Sequence, residues 1–295
     1  FETEPPPADD PLFLDVSDSL GHSHVDPEFN EFVRQALLPR RLGQGGPGVV
    51  WSDVDRDGFD DLIIGGGQGQ AASLYFGDGK GGWRPVSGGK TAMPSDMMGI
   101  LNWHGPTGDS RLLVTGSGYE RSIGAGGVVF NVSKQGFGGK MVLGSQLKSG
   151  GAMTLGDLRG NGTLALFVAG GVKPGHYPAG AVSSIFEWRN GSWVVDRKNS
   201  VVLADVGIVN GAVWSDLTGD GFPELVLACE WGPVRVFSNQ NGQLFDATES
   251  FGLNPFTGWW RGVTTADING DGRMDIIASN WGNNSEYRAS ESLPL

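Results

Sequence analysis

Three stretches of this chain repeat almost the same short phrase. They read Asp53-Val-Asp55-Arg-Asp57-Gly-Phe59-Asp-Asp61-Leu, Asp216-Leu-Thr218-Gly-Asp220-Gly-Phe222-Pro-Glu224-Leu and Asp267-Ile-Asn269-Gly-Asp271-Gly-Arg273-Met-Asp275-Ile. Each is an acidic, glycine-punctuated turn running into an apolar strand. A weaker copy begins at Asp157 with Arg159, Asn161 and Ala165 in the ligand places, and a vestige spans His104 to Asp109. The first apolar residue after each turn is Leu62, Leu112, Leu166, Leu225 and Ile276, so the copies are 50, 54, 59 and 51 residues apart. A fixed period of this size marks a repeat architecture and outweighs any local propensity.

A second motif falls inside each period. Leu74-Tyr-Phe76, Val128-Val-Phe130, Ile185-Phe186 and Val236-Phe237 are each followed, after a glycine-containing turn, by Trp83, Phe137, Trp193 or Phe245. This is a hairpin signal. One period therefore holds about four strands in roughly 50–60 residues, the content of one β-propeller blade. A parallel α/β fold needs helical patterns between strands. The one helical pattern lies within Asp26–Leu38, with Asp26 as cap and Pro27 at the first turn. The expected fold is all-β, a propeller of four-stranded blades. It comprises an acidic Pro-rich leader (1–12), an N-terminal strand with a loop/helix insertion (13–43) and propeller repeats (44–295), the last incomplete. About five repeats are visible, so the chain is expected to be a fragment of a larger ring of the seven-bladed type. The stretch Phe13–Gly21 matches Phe245–Leu253 and is expected to be the outer strand of a blade.

Composition agrees. Gly is 50 of 295 residues, more than twice the roughly 7% norm, as many tight turns require. The net charge of −12 argues against nucleic-acid binding, which needs a basic face. No run reaches the roughly 18 apolar residues of a membrane span. The lone Cys229 excludes an intrachain disulfide and a thiolate zinc cluster.

Carboxylates two residues apart repel one another unless a cation sits among them. The glycine after the third ligand permits the sharp bend that converges them. Calcium takes six to eight oxygens in irregular geometry, whereas magnesium demands a tighter octahedron. The expected ligands are Asp53, Asp55, Asp57, the Phe59 carbonyl and Asp61; Asp216, Thr218, Asp220, the Phe222 carbonyl and Glu224; and Asp267, Asn269, Asp271, the Arg273 carbonyl and Asp275. About three Ca2+ sites would halve the net charge. EF-hands are excluded, because Ile64, Leu227 and Ala278 stand where that loop needs Glu. The third turn is expected to be metal-free, with Arg159 in the cation's place.

These residues resemble the FG-GAP/VCBS repeat of integrin α-subunit-type propellers, and the wider layout is similar to bacterial relatives of cartilage acidic protein. The resemblance implies calcium at the loop positions and export from the cell, secreted/extracellular or periplasmic. It implies no single activity. The expected function is a calcium-binding scaffold for adhesion or binding of a protein or glycan, with self-association through open blade edges. The alternative is a calcium-dependent polysaccharide lyase with His22, His104 or His176 as base. No catalytic constellation stands out. His22 and His24 are spaced to share a metal on an extended segment, but a polar loop is the favoured reading. Trp231, Trp281 and the Trp259-Trp260 pair suit sugar stacking or blade packing, packing being favoured. The basic stretch Arg34–Arg41 is expected to pair with acidic loops or to contact a partner.

Overall fold

The computed structural model describes residues 14–43, 45–86, 92–119, 126–143, 150–288 and 290. The leader (1–12) and Phe13 lie outside them. Among the described residues the protein is all-β, built from four-stranded antiparallel sheets in chain order.

The first sheet is β1 (Val49–Ser52), β2 (Asp61–Ile64), β3 (Ser73–Gly77) and β4 (Trp83–Pro85). The second is β5 (Met97–His104), β6 (Ser110–Gly116), β7 (Gly127–Ser133) and β8 (Gly136–Val142). The third is β9 (Met153–Gly156), β10 (Ala165–Val168), β11 (Ser184–Arg189) and β12 (Ser192–Val195). The fourth is β13 (Ile208–Ser215), β14 (Glu224–Pro233), β15 (Arg235–Gln240) and β16 (Gln243–Asp246). A last pair, β17 (Thr257–Ala266) and β18 (Asp275–Asn280), is tied to the fourth sheet where the end of β14 pairs with β17. Every acidic turn joins the first strand of its sheet to the second, and every hairpin read from the sequence joins the third to the fourth.

The first strands lie side by side. Asn102 of β5 donates to the Ser52 hydroxyl of β1 (2.8 Å), Thr115 of the second sheet to the Gly151 carbonyl just before β9 (2.7 Å), and Asn210 of β13 to the Trp260 carbonyl of β17 (2.8 Å). The Trp214 indole of β13 lies on Gly156 of β9, where any Cβ would collide with it. The sheets stack in sequence order, the second strand of each of the first four burying both faces. Leu112 and Val114 of β6 pack towards Ile63, Leu74 and Phe76, while Leu113 turns the other way towards Leu166 and Phe186. Ala165 and Phe167 of β10 face Leu225 and Leu227, and Val226 faces Val263 and Ile276. Alternation with period two therefore places apolar residues on both sides, which explains the continuous apolar runs in these strands.

The N-terminal segment differs from expectation. Residues 14–43 contain no strand, and Ser17–Leu20 forms a 3₁₀ turn. The likeness to Phe245–Leu253 lies in that turn. The Ser17 N–H donates to Asp15 (2.9 Å) as Thr248 N–H does to Asp246 (3.0 Å), and Gly21 and Gly252 share positive φ. The helix α1 is only Glu31–Arg34, capped by Asn30, whose side chain accepts from Phe32 N–H (3.1 Å). Asp26 instead sits on an extended segment whose backbone lies against Gly67. A second helix that the pattern did not suggest, α2 (Arg197–Val202), is capped by Asp196 and fills the longest repeat interval. Its Asn199 side chain bonds Gly242 and Leu244 of the fourth sheet, each at 2.9 Å.

Candidate metal loops and a charged cluster at the opposite end

The acidic loops share one backbone design. In each, the ninth residue stands opposite the residue before the first ligand: Ser52 with Asp61, Gly156 with Ala165, Ser215 with Glu224, Ala266 with Asp275. The fourth and sixth residues have positive φ, at Arg56 and Gly58, Gly160 and Gly162, Gly219 and Gly221, and Gly270 and Gly272. Only Arg56 takes this left-handed turn with a side chain, at a cost glycine avoids.

The first carboxylate ties each turn together. Asp53 accepts the N–H groups of Asp57 (3.1 Å) and Gly58 (2.9 Å); Asp216 those of Gly219, Asp220 and Gly221; Asp267 those of Gly270, Asp271 and Gly272. The ninth carboxylate is held from the strands. Asp61 accepts from Val54 (2.9 Å) and Gly77 (3.1 Å), Glu224 from Leu217 (2.8 Å) and Asp275 from Ile268 (3.0 Å).

Among the described residues, only the first loop brings three carboxylates within 4.8 Å of one another, Asp53, Asp55 and Asp61. One Asp55 oxygen is buried there with no hydrogen-bond partner, and the other meets the exposed Lys134 ammonium at 3.4 Å. Burial raises the Asp61 pKa, with the charges of Asp55 and Asp57 adding to it; burial and Asp220 likewise raise Glu224. An orphaned carboxylate oxygen and repelling neighbours are what a hard cation relieves. Asp57 lies outside the triad, its carboxylate accepting from Phe59 N–H (2.9 Å). In the fifth loop Asn269 donates to Asp271 at 3.2 Å.

The third loop keeps the backbone and the first acid, Asp157, and loses the others. Asp157 accepts from Asn161 (3.1 Å) and Gly162 (2.7 Å). Arg159 brings a cation, but its carboxylate partners are Glu187 of β11 (2.6 Å) and Asp196 (3.5 Å), from outside its own loop. The vestigial second loop closes as a plain turn, Gly105 N–H to the Asp109 carbonyl at 2.8 Å.

His22 contacts the Tyr75 hydroxyl (3.2 Å), and its ring lies 6.3 Å from that of His24. No third ligand joins the two in a cluster of three among the described residues, and His104 sits at the far end of β5.

A different cluster, unforeseen from sequence, lies at the other end of the strands. Glu230, buried near the end of β14, receives Arg40 at 2.9 Å, the Tyr177 hydroxyl at 2.7 Å and Asn210 at 3.2 Å, with Arg261 at 3.7 Å. Arg40 thus pairs with a buried strand glutamate and not with the acidic loops. The ladder between β14 and β17 breaks register here, and Trp231 takes φ 64° while donating to Tyr177 (2.7 Å). Trp231, Trp259 and Trp281 stack in series. Packing holds for Trp259, which is 1% exposed, while Trp281 is 36% exposed. The only sequence hint was the matched Glu230-Trp-Gly and Asn280-Trp-Gly.

Residues 216–278 match the FG-GAP-like repeat model. That span contains the fourth and fifth acidic loops and the strands β14 to β17 between them. No curated protein matches. Among solved structures, the crystal structure of the V. cholerae biofilm matrix protein Bap1 is similar at 14% identity with a TM-score of 0.40, covering 79% of this chain and 34% of that one. The chain thus spans about a third of that protein's length. No helix among the described residues is long and apolar enough to cross a membrane.

Proposed function

We propose that this chain is a calcium-stabilised binding scaffold. Its stacked sheets are blades of an integrin-type propeller, and it works outside the cytoplasm, in the extracellular space or periplasm, holding a protein or glycan. The observation that carries this reading is the first loop. Asp53, Asp55 and Asp61 converge within 4.8 Å around a buried, unpartnered oxygen. Bound calcium would neutralise these carboxylates and lock the turn between β1 and β2. Asp53, Asp55, Asp57, Asp61 and the Phe59 carbonyl would hold it. By the shared backbone, Asp216, Thr218, Asp220, Glu224 and the Phe222 carbonyl, and Asp267, Asn269, Asp271, Asp275 and the Arg273 carbonyl, would hold two more ions. The FG-GAP-like match across the fourth and fifth loops supports this extension.

The test is calorimetric melting in calcium and in excess chelator. Calcium at a hundredfold its dissociation constant stabilises by about 2.7 kcal/mol per site. Identical melting curves would overturn the calcium reading.

A further inference from the structure

The cluster around Glu230 has more positive charge than its own carboxylate answers. Arg40 and Arg261 both converge on Glu230, so two guanidinium groups share one carboxylate. Burial and then the Arg40 charge lower the Arg261 pKa, with Glu230 opposing. The Nε of Arg40 is buried with no hydrogen-bond partner. In a chain of net charge −12, two guanidinium groups gathered on one carboxylate run against the global sign.

The two arginines line a cavity of about 220 Å³ with Asn210, Ser117, Tyr119 and the entering ends of β5 and β13. It is below the roughly 300–1,000 Å³ of drug-sized sites, a size suited to one sugar unit. The Glu31 carboxylate accepts the N–H groups of Leu42 (3.2 Å) and Gly43 (2.9 Å), which ties down the segment that follows Arg40. Aromatic rings adjoin both guanidinium groups. Arg261 lies over Trp281 at 5.1 Å and Arg40 over Trp259 at 6.0 Å. Trp281 and Tyr287 are partly open to solvent, at 36% and 44% exposure. The left-handed Trp231 beside them is the kind of backbone strain that gathers at binding sites.

We propose that this cavity binds a carboxylate-bearing sugar, a uronate unit of an acidic glycan, an inference that rests on the scaffold reading and names its ligand. The guanidinium groups would take the carboxylate, for which their planar fork is suited. Trp281, which lies against Arg261 outside the cavity wall, would take the apolar C–H face of a neighbouring ring. This partly exposed indole beside Arg261 favours a glycan over an acidic peptide. The cavity lies about 20 Å along β13 from the fourth acidic loop, so uronate binding and calcium stabilisation are separable.

The experiment is titration calorimetry of the calcium-loaded chain with trigalacturonate, with the neutral galactotriose and with a tri-glutamate peptide. Trigalacturonate alone should bind, about tenfold less tightly at 0.5 M salt than at 0.05 M. Arg261→Gln should weaken it at least tenfold and Trp281→Ala about fivefold, with melting temperatures close to the parent. If Arg261→Gln fails to fold, Trp281→Ala and the salt series still decide. Equal binding of the neutral sugar, preference for the peptide, absence of uronate binding, or uronate binding indifferent to both variants would each overturn the proposal. A calcium-dependent melting shift without uronate binding would sink this inference and leave the scaffold reading intact. Uronate binding without that shift would do the reverse.

Discussion

Arg159 donates to Glu187 at 2.6 Å, and Glu187 stands in register opposite Ala165, the residue that replaces the ninth-position acid of the third loop. The strand beside the loop thus supplies a carboxylate that the loop lacks, and the loop supplies its own cation. Asp157→Ala should leave the number of bound calcium ions unchanged. It should cost on the order of 1–2 kcal/mol, because two backbone N–H groups lose their acceptor. Calcium titration beside urea denaturation checks both halves, and loss of one ion would show that the third loop holds metal after all.

Asp55 and Asp61 belong to one loop and should behave in opposite ways. Asp61 is buried and accepts two backbone N–H groups, so Asp61→Ala should cost on the order of 2–4 kcal/mol even in chelator, and more in calcium, where a ligand is lost as well. Asp55 has an unpartnered oxygen and one exposed ammonium partner, and such a pair is worth little. Asp55→Ala should therefore lower the melting temperature in calcium, by less than chelation does, and be nearly neutral in chelator. Melting both variants in both buffers tests this; an equal loss for Asp55→Ala in chelator would assign it a structural role.

Much of this arrangement was legible in the chain. The five turn-and-strand copies and four hairpins fall where the sequence pattern put them, because each depends on residues within about ten positions of one another. Asp53, Asp55 and Asp61 were readable for the same reason. The rest depends on contacts between distant segments. Nothing local says that Asp26, a good helix cap by composition, lies in an extended run against Gly67, or that Asn30 caps instead. The helix after Asp196 is six residues long, too short for a periodic signal. Glu230 meets Arg40 across 190 positions, and only the folded sheets reveal that pairing.

Asp96 shows what burial does to a carboxylate whose neighbours answer it only in part. It is 3% exposed, and neither carboxylate oxygen makes a hydrogen bond of good geometry. Burial first, then the neighbouring Asp26 charge, push its pKa up to about 6, with Gln68 and His24 opposing. The unfolded value is near 3.8, so folding takes up a proton between about pH 4 and 6. Stability from this group falls as pH rises through that window. Asp96→Asn should accordingly stabilise by on the order of 1–2 kcal/mol at pH 7.5 and hardly at all at pH 4. Denaturant midpoints at the two pH values measure it. The same effect at both would mean that shape and not charge governs the site.

Cys229 lies on β14 between Leu227 and Glu230, 2% exposed, and burial pushes its thiol up to about 12. Reactivity follows the thiolate and its access, and both are suppressed here. A disulfide-exchange reagent at pH 8 should titrate no thiol in the folded protein and one per chain after unfolding. Because β14 pairs with β13, β15 and β17, reaching Cys229 requires opening the sheet between the third and fourth repeats. Its labelling rate should therefore track global unfolding and slow on adding calcium. Fast labelling under native conditions would mean that β14 opens locally, and that the fourth loop does not hold this sheet shut.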